Sequence, residues 1–284
     1  MSHVFEALRK SKGQAENEDV FAPEAIFRTP EKVPDFGSIR TENAEIRPEV
    51  RLAVWDNPGT LAADRYRLLR LQLEKLQSKR TLRTILLTSA SPQDGKSTVA
   101  LNLAVVLAGQ GKHRVLVLEA DLRCPSFVRR LGLSPWKGLS ECLAHGLDPV
   151  TAVRRVDPLQ FYLLPAGERV DNPTELLQSE RLTHLVQAMS GWFDWILIDS
   201  PPVSPIADTL ALKPRADASL LVVRSGKTPR EAVEEAIQQL GPGFVMGIVL
   251  NGAKSLNRKY AEYYSKYYGQ TIATKRKVVG RPAK

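Results

Sequence analysis

The run TILLTSASPQDGKSTVALNLAVVLA at residues 84–108 constrains the fold of this chain more than any other segment. A short apolar segment, a compact loop containing Gly95 and a long apolar stretch follow one another without interruption. A loop between a strand and a helix directs backbone N–H groups at one point, where the positive end of the helix favours an anion. The sequence therefore predicts a buried strand, an anion-binding loop and a helix in direct succession.

The loop residues indicate which anion is bound. Residues 90–97 read ASPQDGKS and fit the Walker A spacing, with Ala90 in place of the first glycine. In such loops the backbone N–H groups surround phosphates, a lysine adds a positive charge and a hydroxyl occupies a Mg²⁺ position. We predict that five residues bind the phosphates of ATP: Asp94, Gly95, Lys96, Ser97 and Thr98.

Carboxylates follow two further strand candidates. RVLVLEADLRCP carries Glu119 and Asp121 after its apolar run, and WILID ends on Asp199. A carboxylate at the C-terminal end of a parallel strand, beside a phosphate-binding loop, is positioned to hold Mg²⁺ or its waters. We therefore predict a Mg²⁺ site made by Ser97, Asp121 and Asp199. The three motifs in this order indicate a nucleotide hydrolase or transferase.

The remainder of the chain alternates between two patterns. Apolar segments predict strands at 84–89, 114–118, 161–165, 195–199, 219–223 and 245–251, and helical patterns cover 61–76, 96–110, 174–190 and 229–240. The last two helices begin with Asn172-Pro-Thr-Glu and Thr228-Pro-Arg-Glu, which predict N-caps at Asn172 and Thr228. Apolar strands alternating with helices predict an α/β fold: a mostly parallel sheet flanked by helices on both faces, as in P-loop NTPases.

Charge and proline content divide the chain into four parts. We predict a short N-terminal helix at 1–12, a flexible acidic linker at 13–50, a P-loop domain at 51–255 and a basic, tyrosine-rich tail at 256–284. The net charge is +9, and residues 254–284 hold nine basic residues and one acidic residue. A basic tail on a nearly neutral body suggests docking and not specific binding of nucleic acid. No stretch approaches 18 uninterrupted apolar residues and no secretory signal is evident, which predicts a cytoplasmic chain.

Five tyrosines lie at helical spacing in the tail: Tyr260, Tyr263, Tyr264, Tyr267 and Tyr268. One interpretation is a buried aromatic face of a helix. However, the stripe contains no Leu, Ile or Phe, and each buried phenol hydroxyl would need a hydrogen-bond partner. We predict that these tyrosines are phosphoacceptors.

Together these motifs resemble the bacterial tyrosine kinases of exopolysaccharide and capsule biosynthesis, over roughly residues 60–270. LEADLRCP resembles the second Walker motif of that family, and YAEYYSKYYG is similar to its terminal tyrosine cluster. PAGERVDNPTELLQSERL and FDWILIDSPPVSPIADTLAL are similar to other stretches of the family. The resemblance implies ATP- and Mg²⁺-dependent autophosphorylation of the cluster, in a kinase that regulates polysaccharide synthesis and export. The implied catalytic residues are Lys96, Glu119, Asp121 and Asp199, with Glu119 or Asp121 accepting the tyrosine proton.

Two positions depart from the family pattern. Glu119 replaces the first aspartate of the second Walker motif, which moves that carboxylate outward by one methylene. The triplet Asp64, Arg67 and Arg70 resembles a Glu-x-x-Arg-x-x-Arg motif for ring assembly, with the shorter Asp64 in place of glutamate. The alternative for this triplet is a solvated helix face with an i,i+3 ion pair.

The resemblance also implies partners and a location. It predicts a homo-oligomeric ring, a membrane-embedded polysaccharide co-polymerase as a separate activator, and a cognate tyrosine phosphatase. The chain would then lie at the inner face of the cell membrane.

Two other classes of protein stay open. Deviant-Walker ATPases that position septa or DNA typically carry a second lysine early in the loop, where this chain has Ser91. The second alternative class is a catalytically weak regulatory adaptor.

Overall fold

The computed structural model describes residues 33–205 and 207–253, and one eight-stranded sheet runs through them. Its strands are β1 (Thr41–Asn43), β2 (Thr84–Ser89), β3 (Val115–Glu119), β4 (Arg154–Asp157), β5 (Phe161–Leu164), β6 (Trp195–Asp199), β7 (Ala218–Arg224) and β8 (Val245–Asn251). All six predicted strands are present, each with ends within one residue of the prediction. The predicted helix at 1–12, the predicted tail at 256–284 and its five tyrosines lie outside the described residues.

Helices connect most of these strands. They are α1 (Ala53–Asp56), α2 (Leu61–Gln77), α3 (Lys96–Ala108), α4 (Phe127–Arg130), α5 (Leu139–His145), α6 (Pro149–Ala152), α7 (Pro173–Gln178), α8 (Glu180–Ser190), α9 (Asp208–Leu212) and α10 (Arg230–Leu240). Three 3₁₀ turns lie at Pro48–Val50, Gly109–Gly111 and Lys213–Arg215. None of the helices in the described ranges combines the length and hydropathy that a bilayer crossing requires.

The sheet has the order β1-β4-β5-β3-β6-β2-β7-β8. β4 and β5 pair antiparallel, and every other neighbouring pair within the described residues is parallel. The central strands β2, β3 and β6 are buried at every position, because helices cover both of their faces. The predicted α/β class with a mostly parallel sheet is therefore confirmed.

Alternate residues of β6 show how the two faces are packed. Trp195 and Leu197 belong to an apolar cluster that includes most of α3, whereas Ile196 and Ile198 belong to a second cluster with α8. Side chains alternate between the faces of a strand, so an all-apolar strand serves both cores. This packing holds the carboxyl ends of β2, β3 and β6 side by side at one edge.

One predicted helix is divided in two. The pattern at 174–190 forms α7 and α8, which are separated at Ser179, whose backbone is extended (φ −62°, ψ 149°). The Ser179 hydroxyl donates to the carbonyl of Leu176 in the preceding turn. Serine readily makes such local bonds, which compete with a continuous helix, and the 3.6-residue period alone does not register them.

Part of the predicted flexible linker is folded into the sheet. β1 pairs in parallel with β4, so the C-terminal part of the segment predicted as a linker at 13–50 is ordered. Neither β1 (TEN) nor β4 (RRVD) has the apolar run by which the other strands were predicted. Glu42 of β1 instead forms ion pairs with Arg154 of β4 and with Arg40. A polar strand pair at the edge of a sheet carries little hydrophobic signal, which is why the sequence pattern missed it.

Candidate active site

The loop predicted to bind phosphate joins β2 to α3, as expected from the sequence. Gly95 is the N-cap of α3 and has a left-handed backbone (φ 95°), which a side chain rarely tolerates. A Cβ atom at this position would also lie 2.1 Å from Nδ2 of Asn251. That amide donates a hydrogen bond of 2.8 Å to the carbonyl of Asp94. The end of β8 thus holds the loop against the start of α3.

The Asp94 side chain accepts hydrogen bonds that hold the loop in place. Its Oδ2 accepts a 3.1 Å hydrogen bond from the backbone N–H of Ser91, and its Oδ1 accepts a 2.7 Å bond from the hydroxyl of Thr228. Both carboxylate oxygens of Asp94 are therefore engaged, so the phosphate binding predicted for this residue would fall to its backbone. The predicted N-cap at Thr228 is wrong, because α10 begins at Arg230 and the Thr228 hydroxyl instead donates a hydrogen bond to the buried carboxylate of Asp94.

The structure brings four of the predicted catalytic and metal-binding side chains together. Nζ of Lys96 lies 3.1 Å from Oδ2 of Asp121. The hydroxyl of Ser97 donates a 2.8 Å hydrogen bond to Oδ2 of Asp199. β3 and β6 are neighbours, with Glu119 opposite Asp199 in the register, which places the strand-end carboxylates beside the first turn of α3.

Asp199 is a fully buried carboxylate of this group, and its surroundings perturb its ionisation. Burial raises the pKa of its carboxyl from 3.8 to about 7, although the charge of Lys96 and the hydrogen bond from Ser97 oppose the shift. Its Oδ1 has no hydrogen-bond partner among the described residues. A buried carboxylate oxygen without a partner is costly unless a cation or donor engages it. This oxygen therefore marks a place where a cation would be stabilised.

The donor set fits Mg²⁺. Mg²⁺ in nucleotide sites is usually held by one or two carboxylates together with substrate phosphates. Ser97 and Asp199 present a hydroxyl and a partnerless carboxylate oxygen, with Asp121 close by, two residues after the neighbouring strand β3. Within the described ranges no group of three or more His, Cys, Asp or Glu side chains is arranged to hold a metal ion alone. The residues present thus suit an ion that enters with a phosphate ligand.

Glu119 has a different environment from the one its predicted role requires. Its Oε1 accepts hydrogen bonds from the backbone N–H groups of Ser126 (2.5 Å) and Phe127 (2.8 Å), and its Oε2 accepts one from Ala166 (3.1 Å). Burial raises the pKa of this carboxyl, while the three N–H groups act in the opposite direction. Both oxygens of Glu119 are held by backbone N–H groups, whereas Oδ2 of Asp121 faces the Lys96 ammonium, a side-chain group that can turn to a phosphate, so the geometry favours Asp121 over Glu119 as a proton acceptor.

Several cationic residues near the loop were not predicted. Nη2 of Arg130 donates a 2.9 Å hydrogen bond to the Thr98 hydroxyl, and burial lowers the pKa of Arg130. A cleft of about 340 Å³ flanks the loop and is lined by Arg51, Ser91, Pro92, Gln93, Asp94, Arg224, Lys227 and Thr228. The cleft shares the loop with Lys96 but is not lined by the strand-end carboxylates. These cationic residues are far apart in the sequence, and only the packing of the fold brings them together near the loop.

The triplet predicted for ring assembly lies on α2 and makes contacts within the chain. Arg67 forms an i,i+3 ion pair with Asp64 at 2.5 Å and donates to the carbonyl of Pro58. Nη1 of Arg70 donates a 3.1 Å hydrogen bond to the carbonyl of Val106 in α3. Oδ2 of Asp64 has no hydrogen-bond partner in residues 33–205 and 207–253.

Ionisation of Asp199 should make stability depend on pH. A carboxyl whose pKa is higher in the folded state loses stability as pH rises from its unfolded value, 3.8, to its folded value, about 7. We expect the unfolding free energy of chelator-treated Asp199→Asn protein, taken relative to that of wild type, to increase as the pH rises from 4.5 to 7.5. The gain would be on the order of 4 kcal/mol, at about 1.4 kcal/mol per pKa unit. Urea unfolding at several pH values measures it, and a pH-independent difference between the two proteins would contradict the assignment.

The strand order, the glycine-capped loop and the strand-end carboxylates define the class of this protein, which has a P-loop NTPase fold. A solved structure shares the fold: the septum site-determining protein MinD from Pyrococcus horikoshii, complexed with Mg-ADP, matches with a TM-score of 0.53 and 21% identity over 65% of this chain and 77% of that chain. The likeness at this identity concerns the fold alone.

The more similar proteins are kinases. The chain is 34% identical over 230 residues to tyrosine-protein kinase YwqD of Bacillus subtilis, covering 80% of this chain and 95% of that protein. The kinase domain of Escherichia coli tyrosine kinase ETK matches with a TM-score of 0.68 and 28% identity, over 72% of this chain and 82% of that chain. No protein-family model matches. The chain belongs to the family of bacterial tyrosine-protein kinases.

Two further relatives are much longer. Tyrosine-protein kinase wzc of Salmonella typhimurium is 31% identical over 218 residues, covering 76% of this chain and 30% of that protein. Succinoglycan biosynthesis transport protein ExoP of Rhizobium meliloti is 29% identical over 253 residues, covering 81% of this chain and 32% of that protein. The chain therefore spans about a third of the length of these two relatives.

Proposed function

We propose that this protein is an ATP-dependent protein-tyrosine kinase that phosphorylates its own C-terminal tyrosines and regulates exopolysaccharide or capsule synthesis and export. The observation that carries the proposal is the arrangement around the loop, where Lys96 faces Asp121 at 3.1 Å and Ser97 bonds Asp199. The identity to YwqD over nearly the whole of that kinase supports tyrosine as the acceptor.

Each residue has a defined part in the proposed reaction. Backbone N–H groups of residues 94–98 and the Lys96 ammonium bind the phosphates. The bond between the γ-phosphorus and the bridging oxygen breaks, a bond to the tyrosine oxygen forms, and ADP leaves. Asp121 accepts the hydroxyl proton, a role worth roughly 10²–10⁴ in rate. Bound Mg²⁺, held by Ser97 and Asp199 with Asp121 nearby, would supply neutralisation of phosphate charge.

The electrostatic surroundings suit this reaction. Lys96 and Asp121 are both largely buried, with 14% and 8% of their side chains exposed, so their attraction is weakly screened. An arriving phosphate competes with Asp121 for the lysine. Once the lysine turns to the phosphate, Asp121 loses its partner and becomes a better acceptor for a proton. The same movement therefore binds the nucleotide and prepares the base.

The proposal extends to partners. The name of ExoP, a polysaccharide biosynthesis transport protein, supports a membrane-embedded co-polymerase as the activator, with this chain at the inner face of the membrane. The unsatisfied Oδ2 of Asp64 supports a homo-oligomeric ring in which the assembly triplet meets a neighbouring chain. A cognate tyrosine phosphatase would reverse the modification.

Mass spectrometry of the full chain after incubation with ATP and Mg²⁺ tests the proposed function. We expect phosphotyrosine within residues 260–268, and none when ATP is replaced by ADP. Hydrolysis of ATP without phosphotyrosine would instead identify a positioning ATPase. Failure to bind ATP would identify a regulatory adaptor.

A further inference from the structure

A fully buried carboxylate outside the site described above joins three segments next to it. Asp208, the first residue of α9, has no solvent exposure. Its Oδ2 accepts a 2.8 Å hydrogen bond from Nε of Arg123, and its Oδ1 accepts bonds from Nη2 of Arg123 (3.2 Å) and from the hydroxyl of Thr174 (2.5 Å). Nη2 of Arg123 also donates to Oγ1 of Thr174 at 2.9 Å. We call Arg123, Thr174 and Asp208 the clamp.

The clamp connects elements that carry the catalytic carboxylates. Arg123 lies two residues after Asp121, and Thr174 lies in the first turn of α7. Asp208 begins the helix that follows β6, whose last residue is Asp199. Bidentate arginine–carboxylate pairing has a fixed geometry, and the buried Asp208 cannot exchange its partners for water. The backbone on both sides of Arg123 is therefore held in one position relative to α7 and α9.

The backbone beside Arg123 in turn orients the proposed base. Oδ1 of Asp121 accepts a 3.1 Å hydrogen bond from the backbone N–H of Cys124, the residue directly after Arg123. This bond leaves Oδ2 of Asp121 facing Lys96. A displacement of residues 122–124 would rotate the Asp121 carboxylate away from the place where a hydroxyl proton is delivered. A misplacement of 1 Å in a catalytic group can cost about 10²-fold in rate.

We propose that the clamp residues are positioning residues for Asp121: they set the orientation of its carboxylate for proton transfer without touching substrate themselves. This inference rests on the proposed kinase function. It differs from a direct role for Arg123, whose side chain is 41% exposed and is within reach of solvent. A direct role needs only the guanidinium, whereas a positioning role needs all three partners.

A double-mutant cycle on Arg123→Gln and Asp208→Asn separates the two roles. Positioning predicts that each single variant lowers the rate of phosphotyrosine formation ten- to hundredfold, leaves ATP affinity within twofold, and that the double variant is no worse than either single one. Additive losses, or an unchanged rate in the folded Asp208→Asn protein, would overturn the inference. Arg181→Gln is the matched control, because within residues 33–205 and 207–253 Arg181 bonds only to the carbonyls of Leu143 and Ala144.

Thr174 provides variants that keep the buried charge pair. We expect Thr174→Ser, which keeps the hydroxyl, to retain the wild-type rate and Thr174→Val to lower it. Equal rates in the two variants would count against the clamp. This pair is informative even where Asp208→Asn fails to fold.

Amide exchange at Cys124 gives a readout that does not depend on kinase activity. If the clamp holds this segment, NMR should show at least tenfold faster exchange of the Cys124 N–H in Arg123→Gln and no change in Arg181→Gln. Unchanged protection would overturn the inference whatever the kinase assay shows. Absence of phosphotyrosine in wild type, with the exchange result as expected, would overturn the proposed function alone.

Discussion

Replacing Lys96 by methionine should lower ATP-dependent tyrosine phosphorylation by at least about a hundredfold, the loss typical of removing one charge-stabilising donor. Lys96 is the first residue of α3, and its ammonium lies 3.1 Å from Oδ2 of Asp121. Methionine keeps the length and apolar stem of the side chain but removes the charge. The phosphates would lose their point-charge partner, and both ATP affinity and transfer rate should fall.

The variant should still fold, because the core of α3 is built from apolar residues after its first turn. Some stability is lost, since Asp121 keeps a largely buried carboxylate without its partner. Circular dichroism checks the fold, and phosphotyrosine-specific mass spectrometry measures the rate. Lys112→Met is the matched control, because Lys112 is an exposed lysine that follows the same helix. Retention of more than a tenth of the wild-type rate in folded Lys96→Met protein would remove Lys96 from the site.

Glu119→Ala should lower the unfolding free energy by at least about 3 kcal/mol, because two buried backbone N–H groups and one half-buried one lose their acceptor at about 1–3 kcal/mol each. Two of these groups belong to Ser126 and Phe127 at the start of α4, and the third belongs to Ala166 after β5. The loss should appear in urea unfolding as a lower midpoint with an unchanged slope.

Asp121→Asn is the contrasting variant. Asparagine can still accept the hydrogen bond from the Cys124 N–H, so the loss of stability should come from Lys96, which loses its charge partner, while the substitution removes most of the proton-accepting capacity. Glu119→Gln tests whether the role of Glu119 is structural and not that of a proton acceptor. Its Nε2 would face a backbone N–H where the carboxylate oxygen stood, so it should lose stability as well. A Glu119→Ala protein of unchanged stability but abolished activity would restore Glu119 as the proton acceptor.

Glu119, at a position where the resemblance to the family implies an aspartate, has a structural role. The longer side chain places one oxygen at the N-terminus of α4 and the other at the N–H of Ala166, 47 residues along the chain. Sequence analysis could identify this position as a departure from the family pattern. It could not show that the extra methylene serves hydrogen bonding between segments, because Ala166 carries no sequence signal for that contact.

The sequence by itself determined the six main strands, the phosphate-binding loop and the edge of the sheet at which Lys96, Asp121 and Asp199 meet. These features follow from neighbouring residues, because apolar runs set the strands and parallel strands bring their carboxyl ends to one edge. Only the tertiary structure decided the hydrogen-bond partners of the polar side chains. Thr228 binds Asp94 and not the start of α10, and Arg123 binds the buried Asp208. A buried carboxylate takes whichever donors packing brings within about 3 Å, and residues more than 80 positions apart meet there only after the helices have covered the sheet.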